Sequence, residues 1–387
     1  MRIALTVEDF RAWRGGGEGY AVSLARALAA RGHEIHVFAA QVAETPNGIV
    51  PHRVPVSGGF FSKRAAFARN CARLIEKEAE AFDVVHGLGK SVAMDVFRPG
   101  GGVHRAWRRQ DPLSIESPLR RSWVRFRRCL SIDQWLVLKL EAEQFRSGPD
   151  GPEIIANSQM VRRHILEHYP VPEDRIHIIY NGVDTERFSP ENRKKYRAAM
   201  RKKFGAADSD TVLLFMANNF RLKGLGLLVR ALGMLRDVRD TLRVVVVGRG
   251  RAWRYRNLAG RLGMEDRIAF VGQMNEPEKA YAGADMLVHP TFYDPCANVT
   301  LEAMASGLPV VTSIYNGAGE LIEPGVQGEV IDPSDPAALA GAIRTLLTPD
   351  HLEAAGIAAR QLAEKHTLAG HIDEVLGVYK KILAQSR

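Results

Sequence analysis

Two doubly wound α/β domains in tandem are the fold this sequence predicts, and three observations carry the expectation. The chain has 387 residues, more than one ordinary hydrophobic core takes in, so two domains of roughly 180 residues each are expected. Short apolar runs alternate with amphipathic helical patterns along its length, as in parallel sheets covered by helices on both faces. Near the middle, the Asn181-Gly182 turn, the stretch 183–190 and the charged run 193–203 interrupt that alternation. The first domain is therefore set at 1–185 and the second begins at 186.

Residues 2–7 read as the first strand. An amphipathic helix follows over 20–31, with Val22, Ala25, Leu28 and Ala29 at helical spacing and Gly32 as its stop. Residues 35–39 then form a second strand, which completes one βαβ unit. Later strands of the same sheet are expected at 83–86, 153–156 and 176–180, and Asn157-Ser158 caps a helix running to His168. The second series opens with a strand at 212–216 and a helix over 224–235. It continues through strands at 243–247, 267–271, 286–289 and 309–312 to a helix over 336–347. In open α/β sheets ligands bind beyond the carboxyl ends of the strands, so functional residues are expected in strand-to-helix loops.

With 46% apolar residues, 25% charged residues and 35 glycines, the chain can bury sizeable cores, and disordered and fibrous classes are excluded. Cys71, Cys129 and Cys296 show neither paired nor metal-ligand spacing, which points to a reducing cytoplasm. The apolar stretch 3–7 is too short for a signal peptide, and no window reaches the roughly 18 to 20 apolar residues of a membrane span. Lys and Arg number 53 against 44 Asp and Glu, a net charge of +9. An anionic partner follows: a nucleotide, a phosphorylated glycan, nucleic acid or a lipid surface.

Two segments have the residues for phosphate and sugar chemistry. Gly15, Gly16 and Gly17, in the first strand-to-helix connection, would let the backbone approach an anion and aim amides at it. Tyr20 stands where a dinucleotide fingerprint requires its third glycine, which disfavours a dehydrogenase; a simple tight turn is the plainer reading. The segment 293–311 is more informative. Asp294 precedes a helix start, seven residues intervene, Glu302 follows within the helix, and Gly307-Leu308-Pro309 leads into a strand. Carboxylates there suit sugar hydroxyls, and the free amides of Asn298 and Val299 suit phosphates. The plainer reading is a capped surface helix with an incidental glutamate.

This acid, seven residues, acid element resembles that of glycosyltransferase family 4, and other residues agree with the family in order. They are Gly15 to Gly17 with Leu24, Leu28 and 31–35; Asn157-Ser158; 180–184 with Phe188; Arg221-Leu222-Lys223-Gly224; and Val247-Gly248-Arg249-Gly250. Within the family, 83–90, 95–97, the loop 100–104 and an arginine-rich insert resemble the lipopolysaccharide core glucosyltransferase I group. The resemblance implies the GT-B fold, two facing Rossmann-like domains with a cleft between them. It sets the second domain at 186–366, with a C-terminal helix of about 367–387 returning to the first.

Site roles follow from the same resemblance. Lys223 and Arg221 would neutralise the donor diphosphate, although Leu222 stands where members commonly place an arginine before the lysine. Asp294 would hold the donor sugar, one methylene shorter than the family's usual glutamate. Glu302 would bind the ribose, and His104 would back the sugar near its reacting carbon, unless it is only a local hydrogen-bonding group. Gly15, Gly16, Gly17, Gly248, Arg249, Ala297, Asn298, Val299 and Thr300 would line the nucleotide site. UDP-glucose is the expected donor, as a substrate; no cofactor and no metal are expected. Asp208-Ser209-Asp210 reads as turn chemistry.

Between 105 and 128 lie eight arginines against Asp111 and Glu116. Trp107, Trp123, Phe126 and Trp135 interleave with them or follow them, as where rings settle at a lipid interface and guanidinium groups meet phosphates. The expected protein is thus a cytoplasmic, membrane-peripheral, retaining hexosyltransferase on the inner face of the cytoplasmic membrane. It would act on a nucleotide sugar and a glycan or glycolipid acceptor of lipopolysaccharide core type. A solvated helix pair with inward tryptophans is the bland alternative for the insert. For the whole chain the rivals are a GT-B sugar-nucleotide epimerase and a non-catalytic anion- or nucleic-acid-binding protein; nucleic acid is not expected, because no recognition motif accompanies the charge.

Overall fold

The computed structural model describes every residue except 13–14, 44–46, 57–59, 78–81 and 386–387. The chain separates into two compact units, one of 1–109, 117–180 and 369–387, the other of 110–116 and 181–368.

In the first unit the apolar run at the amino terminus forms β1 (Arg2–Thr6), with Ile3, Ala4 and Leu5 fully buried. A strand covered on both faces needs such a continuous run. It is followed by β2 (Asp9–Phe10), α1 (Gly16–Ala30), β3 (Glu34–Ala39), β4 (Gln41–Val42), β5 (Ile49–Arg53) and α2 (Phe60–Lys77). Next come β6 (Val84–Gly87), β7 (Val96–Phe97), α3 (His104–Gln110), α4 (Pro118–Cys129), α5 (Ile132–Gln144), β8 (Glu153–Ala156), α6 (Gln159–His168) and β9 (Ile176–Ile178). Seven strands pair in the order β5-β3-β1-β6-β7-β8-β9, all parallel. Ser158 caps α6 as expected, its side chain accepting from the Val161 amide at 3.2 Å. Sequence reading passes over β5, because this edge strand is largely exposed and contains Pro51, a residue tolerated at sheet edges.

The second unit holds α7 (Asn192–Phe204), β10 (Thr211–Met216), α8 (Leu225–Met234), β11 (Leu242–Val247), α9 (Ala252–Arg261), β12 (Ile268–Gly272) and α10 (Pro277–Gly283). It continues with β13 (Met286–His289), α11 (Asn298–Ala305), β14 (Val310–Ser313), β15 (Gly328–Ile331), α12 (Pro336–Thr345) and α13 (Pro349–Ala363), and α14 (Leu368–Gln385) ends the chain. Its six strands, also parallel, run β12-β11-β10-β13-β14-β15. Strand order reverses between β10 and β13, so the loops after these two strands flank the switch point where such sheets take ligands.

Two expectations are corrected. The charged run 193–203 is not a break but the body of α7. Arg193, Arg197 and Arg201, four residues apart and so on one face, converge on the buried Asp285 carboxylate at 3.0, 2.7 and 3.0 Å. The units also divide after Tyr180 rather than after residue 185. Asn181 is already bonded into the second unit, its amide donating to the Cys296 carbonyl at 3.0 Å and to Asn298 Oδ1 at 2.6 Å. Likewise the Val183 amide donates to the His366 carbonyl and the Leu368 amide to the Val183 carbonyl, which keeps 181–368 together up to the first residue of α14.

From Ala369 onward α14 belongs to the first unit. His371, Ile372, Val375 and Tyr379 are buried. The Tyr379 hydroxyl lies 2.6 Å from His86 Nδ1, and His371 bridges the Tyr20 hydroxyl at 2.9 Å and the Tyr180 carbonyl at 2.7 Å. Burial drives both imidazoles toward neutrality, His86 down to about 3 and His371 down to about 4.

Candidate active site

Both loops at the second unit's switch point contribute the residues singled out above. Residues 217–224 follow β10. Asn219 Oδ1 accepts from the Leu222 amide, the Asn219 carbonyl accepts from the Lys223 amide, and Gly224 closes the turn at φ +83. A Cβ on Gly224 would lie 2.1 Å from the Pro290 carbonyl oxygen, so glycine is required there sterically and conformationally. The Leu222 carbonyl accepts from the Phe292 amide at 2.8 Å, tying this loop to residues 290–297 after β13.

That tie brings Lys223 and Asp294 together. Lys223 Nζ lies 2.5 Å from Asp294 Oδ2 and donates to the Tyr293 carbonyl at 3.0 Å, while His289 Nε2 is 3.5 Å from the same carboxylate oxygen. Burial alone would raise the Asp294 pKa, but the Lys223 ammonium and the His289 ring outweigh it and hold the carboxyl well below the usual range. Glu302, on α11, sits in the opposite regime: burial raises its pKa, opposed by the Tyr281 hydroxyl, which donates to Oε2 at 2.7 Å.

The amino end of α11 faces a set of polar side chains that sequence reading missed. Asn316 is almost wholly buried; its Oδ1 accepts from the Ala297 and Ala318 amides at 3.1 Å each, and its Nδ2 donates to Thr300 Oγ1 and Thr312 Oγ1 at 2.9 Å each. The Ala297 amide and the Thr300 hydroxyl are therefore already engaged. The amides of Asn298 and Val299 have no acceptor among the described residues, and stand as helix-terminal donors. Asn316, Tyr281 and His289 carry no local sequence signal, because Asn316 reaches Ala297 and Thr300, Tyr281 reaches Glu302 and His289 reaches Asp294 only after the sheet has formed.

Other residues fall elsewhere. Gly248 follows β11 at φ +122, where a Cβ would lie 1.9 Å from the Ala217 carbonyl oxygen, and Arg249 beside it is exposed. Arg221 is committed to the segment 110–116: its guanidinium bonds the buried Asp111 carboxylate at 2.6 Å, the Asp111 carbonyl at 3.0 Å and the Ser114 hydroxyl. It thus serves as a tether for that segment within the second unit, a contact no spacing rule reveals. In the first unit, Gly15 precedes α1 in extended backbone, and Gly16 and Gly17 open the helix. His104 opens α3: its amide donates to Glu141, its Nε2 lies 3.0 Å from Gln134 Oε1, and burial lowers its pKa to about 4. It is a neutral imidazole at physiological pH.

Against known proteins, the family described as Glycosyltransferase Family 4 matches residues 14–187, and that described as Glycosyl transferases group 1 matches 197–365. An uncharacterized glycosyltransferase of Methanocaldococcus jannaschii is 26% identical over 98% of each chain. A D-inositol 3-phosphate glycosyltransferase of Geodermatophilus obscurus is 32% identical over 59% of this chain, which spans about half of that relative, 52% of its length. Among solved structures, WaaG, a glycosyltransferase involved in lipopolysaccharide biosynthesis, superposes with a TM-score of 0.82 at 22% identity over 96% of this chain and 98% of that one. Anabaena HepE in complex with UDP and glucose gives 0.70 at 20% identity over 97% and 98%. At these identities the structures establish the fold, two Rossmann-like halves of the GT-B kind.

Proposed function

Since this chain belongs to the glycosyltransferases, with a family 4 first half and a group 1 second half, we propose that it transfers a hexose, glucose foremost, from a UDP donor to a glycan acceptor of lipopolysaccharide core type with retention. The observation that carries the reading is the Lys223 ammonium at 2.5 Å from Asp294, beside a helix end whose first amides have no acceptor among the described residues. In the proposed reaction the bond from the anomeric carbon to the diphosphate oxygen breaks as the acceptor oxygen bonds the same face of the sugar. The nucleoside diphosphate leaves with the acceptor's proton. Lys223, drawn from Asp294 to the donor, stabilises the departing charge together with the Asn298 and Val299 amides, so no metal is invoked. Freed of Lys223, Asp294 takes sugar hydroxyls; Glu302 takes the ribose; His104 contributes as a neutral group.

The test is a thermal-shift and hydrolysis screen of UDP-, GDP-, ADP- and CMP-sugars on the wild type and Glu302→Ala. A UDP-sugar should raise the melting temperature of the wild type and be slowly hydrolysed, with the shift lost in the variant. Indifference of the wild type to every donor would remove the reading. The names of the inositol phosphate relatives favour a second acceptor, a phosphorylated polyol.

The proposal extends to peripheral docking on the anionic inner face of the cytoplasmic membrane. No helix among the described residues is long and apolar enough to cross a bilayer. Helix α4, capped by Ser117, buries none of its residues. Leu119, Trp123 and Phe126 are 85%, 57% and 63% exposed on one stripe, flanked by Arg120, Arg121 and Arg127, the amphipathic pattern of an interfacial helix. Phosphatidylglycerol vesicles should sediment the wild type and release Trp123→Ser/Phe126→Ser; equal sedimentation of both would refute docking by this face.

A further inference from the structure

On the α3 side of the same insert lies a cavity of about 480 Å³, lined by Arg105, Arg108, Arg109, Arg125 and Arg128 together with His168. Its size is that of a small-molecule site, roughly 300–1,000 Å³. Arg105, Arg108 and Arg109 share one face of α3, and Arg125 and Arg128 are a turn apart on α4. Negative charge nearby is scarce. Glu167 pairs with Arg109, whereas Glu141 accepts from the amides of His104 and Arg105 and from the Tyr169 hydroxyl. Arg105, Arg108 and Arg125 have no ion pair with a carboxylate among the described residues. Two guanidinium planes are fixed by rings, Arg128 over Trp107 at 4.5 Å and Arg105 over Tyr169 at 5.3 Å. The His168 side chain, 5% exposed, also lines the cavity, with its Nε2 buried 3.9 Å from a Glu167 carboxylate oxygen.

We infer that this cavity is a binding site for a phosphate monoester, seated by the forks of Arg105, Arg108 and Arg125. Converging planar forks match a group with three terminal oxygens and two charges, whereas a carboxylate satisfies one fork or two. The phosphate is borne either by the acceptor glycan or by a lipid headgroup. The inference rests on the proposed transferase only for that bearer, and it concerns a pocket separate from the exposed stripe of α4.

Isothermal titration of the full chain with glucose 6-phosphate, with glucose as control, reads the first source. Co-sedimentation with phosphatidylcholine vesicles containing phosphatidic acid reads the second. The wild type should bind at least one probe, and Arg108→Ala/Arg125→Ala should weaken that binding by about tenfold or more. Arg108→Lys/Arg125→Lys, which keeps the charge and loses the forks, should recover only part of it. Binding of glucose 6-phosphate alone identifies a sugar-borne phosphate, and binding of vesicles alone a headgroup; either supports the site. No binding by the wild type, undiminished binding by the alanine variant, or full recovery by the lysines would each overturn it. Arg125→Gln, an exposed change, gives a second readout if the double variant unfolds. UDP-sugar shifts on the same samples should be unchanged by these substitutions. A wild type that binds glucose 6-phosphate but ignores every nucleotide sugar would sink the transferase and leave the pocket standing.

Discussion

Lys223→Ala should lower turnover of the nucleotide sugar by about 10²–10³-fold, the usual effect of removing one preorganised donor from developing negative charge, with a much smaller change in KM. The loss falls on kcat because the ammonium is bonded to Asp294 in the free chain and meets the diphosphate most strongly as it departs. The same substitution strands a carboxylate that is only 17% exposed, which costs about 1–3 kcal/mol. Its signature is the pH dependence. In the wild type the Asp294 pKa is depressed, so its contribution to stability is complete above the unfolded carboxyl value of about 3.9 and is lost as pH falls below it. Without Lys223 only His289 still opposes burial, so the Asp294 pKa should rise from its depressed value and the stability that the carboxylate adds near neutrality should shrink, narrowing the gap between wild type and variant in acid. Melting temperatures between pH 3 and pH 8 check this; parallel curves for wild type and variant would contradict it.

Gly248→Ala should be among the most damaging single methyl additions in the second unit. At φ +122 an L side chain is strained, and its Cβ would stand 1.9 Å from the Ala217 carbonyl oxygen, a backbone atom that moves only if the loop after β10 moves. Strain of about 1–3 kcal/mol and overpacking of about 1–3 kcal/mol apply together. The displaced loop includes Lys223, so denaturant midpoints and donor hydrolysis should fall together. A Gly17→Ala control, where a Cβ meets nothing within 4 Å, should leave stability nearly unaltered; equal effects at both positions would refute the steric account.

What sequence alone revealed depended on how local each signal was. The strands β1, β8 and β13 each hold a short apolar run that is buried, so periodicity finds them. Asp294 and Glu302 lie on one loop and one helix, and the spacing between them is itself a structural statement. By contrast α7 hides its role, because its inward stripe is arginine and Asp285 is distant in sequence. Arg221 was expected at the donor phosphates, yet Asp111, 110 residues earlier, holds it. The pairs Tyr281 with Glu302 and Asn316 with Ala297 are likewise contacts that only the closed sheet creates.

The placement of α14 has a consequence for how this molecule is made. A ribosome releases residues 1–180 long before the segment that covers His86 and Tyr20 exists. The amino-terminal half therefore waits, with Tyr20 and His86 uncovered, while the entire other half is synthesised and folds. The part translated first is thus the last to be finished, and during that interval it is the natural client of a chaperone.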